Sequence, residues 1–62
     1  MTPEQERWAE ALAVLRLRGA DARLHVAERI GALARAGDVA GVARWRSIAA
    51  RLDQLLRPGA RA

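Results

Sequence analysis

The chain has 62 residues, 52% hydrophobic and 29% charged, with eleven basic residues against seven acidic ones and no cysteine. That is one domain close to the smallest size able to bury a core unaided, and it excludes disulfides and thiolate-held metals. The formal charge is +4 and every basic residue is an arginine, so a polyanionic partner is implied only if the arginines cluster.

The chain is too apolar for intrinsic disorder. No apolar run approaches the ~18 residues of a membrane span, and the opening MTPEQERW carries acids where a signal or transit peptide carries basic residues. A cytoplasmic, helical protein is expected.

The first helix is predicted at about 3–18. Thr2 is its N-cap, with Gln5 placed to complete a capping box, and Pro3 takes the first helical position, where a missing N–H costs nothing. Glu4 and Glu6 lie at the positive end of the helix dipole and Arg16 and Arg18 at the negative end. Gly19 is expected to close the helix in the left-handed conformation. Trp8, Ala11, Leu12 and Leu15 make the predicted inward face; Val14 lies off it and Leu17 nearly opposite. Val14 and Leu17 are therefore candidates for a protein interface.

After Gly19-Ala20-Asp21, Asp21 is expected to cap a second helix at about 22–36, ended by Gly37. Its apolar stripe is Val26, Ala27, Ile30, Leu33 and Ala34, with His25, Glu28, Arg29 and Arg35 turned away. Ala27, Gly31 and Ala34 form a row of small residues. Because an interior glycine costs a helix about 1 kcal/mol relative to alanine, Gly31 predicts a close approach.

Asp38 should cap a third helix at about 39–57, stopped by Pro58 and Gly59. Its stripe is Val42, Trp45, Ile48, Ala49, Leu52, Leu55 and Leu56. Gly37-Asp38 then reads as a C-cap and an N-cap fused into one tight corner. Trp8 and Trp45 are expected to fill the core over the small-residue row; the alternative is that one indole is an exposed binding anchor. Together these elements predict an all-α, compact three-helix bundle over residues 1–58, with a frayed tail at 59–62.

Catalytic chemistry fails on inventory. Ser47 and Thr2 are the only hydroxyl residues and His25 is the only histidine; there is no phosphate loop, and His25 with Glu28 does not make a metal site. No catalytic residue, cofactor, metal or small-molecule substrate is predicted.

A nucleic-acid reading rests on Arg44, Arg46 and Arg51, supported by Arg35 and Arg57. On a helical wheel Arg44 and Arg51 fall on one flank of the apolar stripe, while Arg46 and Arg57 fall on the other with Asp53. Asp53 to Arg57 and Glu4 to Arg7 are expected ion pairs. A helix-turn-helix joins its helices by three or four residues, whereas Gly37-Asp38 performs both jobs here. The inward position after such a turn falls on Ala43, with Val42 and Trp45 out of phase. The alanine-rich corner Leu33 to Asp38, followed by Ala49, echoes tetratricopeptide hairpins, but no internal repeat accompanies it.

The strings AERIGALARAGDVAGVARW and RSIAARLDQLLRP, with the opening PEQERWAEAL, resemble a family of small uncharacterised proteins of sphingomonad-type alphaproteobacteria. The resemblance implies a short, cytoplasmic, helical bacterial protein and supplies no activity. The leading expectation is a noncatalytic protein-interaction module in which the extra apolar surface of the first helix meets either a protein partner or a second copy in a homodimer. The alternative is a small nucleic-acid binder using the third. The burial of Trp45 separates the two.

Overall fold

Thr2 has extended backbone (φ −77°, ψ 159°); its hydroxyl accepts the Gln5 N–H at 3.1 Å, and the Gln5 side-chain oxygen accepts the Thr2 N–H at 2.9 Å. This reciprocal box, with Pro3 in the first turn, opens α1 (Pro3–Arg18). The computed structural model describes residues 1–58; the expected fraying of 59–62 lies outside the described residues.

Gly19 has the positive φ foreseen for it, 53°, but with ψ at −123° it is not in the left-handed helical region. The chain continues directly into a 3-10 turn, Gly19–Asp21, and then α2 (Ala22–Arg35). The expected cap at Asp21 is corrected: its side chain makes no capping bond, and its backbone (φ −93°, ψ 7°) lacks the extended conformation an N-cap needs. The 3-10 turn leads straight into α2, so α1 and α2 form one bent helical run.

The second corner has the predicted form. Gly37 has φ 76°; the Asp38 N–H donates to the Leu33 carbonyl at 2.9 Å and the Gly37 N–H to the Ala34 carbonyl at 3.1 Å, the Schellman arrangement. Asp38 then starts α3 (Val39–Leu56): its carboxylate accepts the Gly41 N–H at 2.8 Å and its carbonyl the Val42 N–H at 3.0 Å. Arg57 is extended ahead of Pro58, as the residue before a proline prefers.

Ala11, Val14, Ala22, Val26, Ile48 and Leu52 form the buried core, with Leu15, Ile30, Trp45, Ala49 and Leu56 packed against it. The protein is all-helical among the described residues, and compact. α3 packs against both arms of the bent run, while α1 and α2 touch each other least. The outcome is a flat body of 39 × 27 × 17 Å.

Three packing expectations change. Val14, expected outside the core, is in it at 9% exposure, whereas Leu12 is 38% exposed. The buried side of α1 is therefore Ala11 and Val14, with Leu15 packed against the core. Gly31 has no close neighbour: a Cβ there would meet only Nη1 of Arg35, at 3.5 Å. Ala27 and Ala34 are exposed, so the small-residue row is not covered by an indole.

Candidate interaction surface

The three arginines nominated for nucleic acid are occupied in different ways. Arg44, on α3, donates to the Glu10 carboxylate on α1, which also accepts from Arg7; Arg7 in turn lies 3.6 Å from Glu6. Burial alone would raise the Glu10 pKa, but the hydrogen bonds from Arg44 and Arg7 and their charges outweigh it and hold the carboxyl below its ordinary range. The same hydrogen bond, with the charge of Glu10, raises the Arg44 pKa. Arg51 lies over the Trp8 ring, 5.8 Å from its centroid, and its Nε is buried without a partner among the described residues. Arg46 alone is exposed and makes no ion pair among them. The fold does not bring Arg44, Arg46 and Arg51 together.

Trp45 and Trp8 are both half-buried. Trp45 packs on the core, takes the His25 ring edge-on at 5.8 Å and 75°, and carries the Arg29 guanidinium 5.4 Å from its ring centroid. His25 and Arg29, expected to turn away from the core, instead cover this indole. Trp45 thus anchors α3 to α2. Trp8 lies at the α1–α3 junction beneath Arg51, outside the main apolar cluster.

Sequence reasoning missed a concavity on the α2–α3 side. An open groove of about 400 Å³ runs between α2 and α3, with Val26, Ala27 and Ile30 on one wall and Ala49, Ala50 and Leu52 on the other. Arg46 lines it, as do Arg23 and Asp53, which pair at 3.2 Å in place of the expected Asp53–Arg57 bridge. A second hollow of about 340 Å³ lies at the Gly37-Asp38 corner against Val39 and Val42, with Arg46 again in its wall. No α1 residue lines either hollow. The available signal was alanine at positions 27, 34, 43 and 50, which leaves the flanks of an α-hairpin thin.

At the helix-1 surface, Leu17 is 82% exposed, as expected, and Leu24, seven residues further along the bent run, is exposed too. Among the described residues no helix is long and apolar enough to cross a membrane. A family model described as a family of unknown function (DUF6961) matches residues 3–59. No curated protein and no solved structure matches the chain.

Proposed function

The chain belongs to the family of unknown function DUF6961, which carries no activity over to it, and we propose that it is a noncatalytic protein-interaction module that works by self-association. In this reading its three helical segments act as a minimal three-helix bundle with α3 as the shared element. The observation that carries the proposal is apolar surface left unsealed: Leu17, Leu24 and Val39 stand out in solvent, and the α2–α3 groove is open.

The helix-1 version of this reading now rests on Leu17, because Val14 belongs to the core. Sedimentation equilibrium of the wild type and of Leu17→Glu tests it. A wild-type dimer dissociated by the substitution supports helix 1 as the contact; a wild type that stays monomeric at every concentration removes self-association.

The nucleic-acid reading has the charge but not the geometry, since Arg44 is held by Glu10 and Arg51 by Trp8. Retention on duplex DNA at low salt that weakens on Arg44→Ala would replace the interaction reading with this one.

A further inference from the structure

The open face of α3 carries a charge pattern that is its own complement. Arg46 and Asp53 are seven residues apart in the α3 sequence VAGVARWRSIAARLDQLL, which places them on one face, roughly 10 Å apart along the axis. Ala49 and Ala50 lie between them. Arg46 has no ion-pair partner among the described residues; Asp53 meets Arg23 through Oδ1 at 3.2 Å, in a pair whose side chains are 60% and 64% exposed. A carboxylate has room for a further donor, and a pair so open to water is easily shared.

We propose that the α2–α3 face binds the same face of a second copy of this chain about a twofold axis beside Ala49 and Ala50. The inference rests on the interaction reading and deepens it by naming the partner and the surface. A twofold interface requires that when residue i meets residue j, j also meets i. Two α3 helices running antiparallel, with the axis midway between positions 46 and 53, meet that condition: Arg46 of each copy faces Asp53 of the other. The alanines at the crossing allow the axes to approach toward the ~8 Å lower limit of helix packing, and Ala27 and Ile30 of α2 close the flank. Because the contact is closed, it yields a dimer of helical hairpins and not a filament. The charges fix register and partner, and the apolar groove supplies the buried area.

The test uses the full chain in three forms, followed by sedimentation equilibrium, with far-UV circular dichroism to verify folding. Arg46→Asp places like charges against Asp53 of the other copy, and Asp53→Arg places like charges against Arg46; each alone is expected to weaken dimerisation at least roughly tenfold. Mixing these two variants should restore a 1:1 heterodimer, because every cross-copy pair is then of opposite sign. That recovery also shows that neither variant had merely unfolded. A wild-type dimer unchanged by Arg46→Asp, or two dissociated variants that do not recombine, overturns the inference. If Leu17→Glu dissociates the dimer and Arg46→Asp does not, this inference falls and the helix-1 contact stands; a monomeric wild type removes both.

Discussion

Glu10 is placed where α1 meets α3, and its carboxylate accepts from Arg7 on its own helix and from Arg44 across the gap. Because its pKa is lowered in the folded chain from an ordinary 4.5, its stabilisation is fully present above the unfolded value and is lost as pH falls through the folded one. Glu10→Gln should therefore lower the thermal midpoint slightly at neutral pH, and the gap from the wild type should close in acid. A gap of the same size at pH 7 and at pH 2 would show that the carboxylate's charge is not what matters. Gly31 makes the opposite kind of prediction. Nothing crowds it, so Gly31→Ala removes an unfavourable helix residue and should stabilise the chain by up to about 1 kcal/mol. Gly41 looks equivalent in sequence but is not: a Cβ there would lie 2.5 Å from Oδ2 and 2.8 Å from Cγ of Asp38. Alanine at that position displaces the cap of α3, so Gly41→Ala should bring no gain. If both substitutions stabilise equally, the Asp38 cap is weaker than its geometry implies.

At the scale of elements, the helix ends were legible and the helix faces were only half so. Caps are local chemistry: Thr2 with Gln5, and Gly37 with Asp38, act within a few residues of themselves, and the sequence placed the ends of all three helices within a residue or so. Asp21 misled because a 3-10 turn can lead straight into a helix, which leaves its side chain nothing to cap. Faces are decided by what lies opposite. α1 buries Ala11 and Val14 and leaves Leu12 exposed, a choice that depends on the α2 and α3 residues sharing that core cluster. The Arg23–Asp53 pair and the groove it borders have the same non-local origin, so the ladder of alanines was visible in sequence while its openness was not. The Gly37-Asp38 corner is where local chemistry carries most weight. Asp38→Ala keeps the backbone bond that ends α2 but removes the acceptor for Gly41, and should cost about 1 kcal/mol. In that background Gly41→Ala should turn favourable, since the carboxylate it would strike is gone. Additive effects in that double-variant cycle would mean that the two residues do not act on one cap.

For the whole molecule, a thickness of 17 Å leaves little room for more than one layer of core beneath helices about 10 Å across. Ile48 and Leu52 are the only large side chains among the described residues with almost no exposure, and for a chain of this length ordering costs and burial nearly cancel. Val39, 81% exposed, and the alanines lining the groove are apolar surface that folding alone leaves uncovered. If a second copy covers the groove, folding and association are linked, and the unfolding midpoint must rise with protein concentration by mass action. The wild type is expected to show that rise across a hundredfold concentration range, and Arg46→Asp to show a lower midpoint that no longer depends on concentration. Gly31→Ala should raise the midpoint at every concentration without changing its slope, since Gly31 lines neither the groove nor the corner hollow. Calorimetry on the three proteins thus separates stability arising within one chain from stability arising between two. A wild-type midpoint that is flat in concentration assigns all of it to the single chain and leaves the α2–α3 face without a second copy.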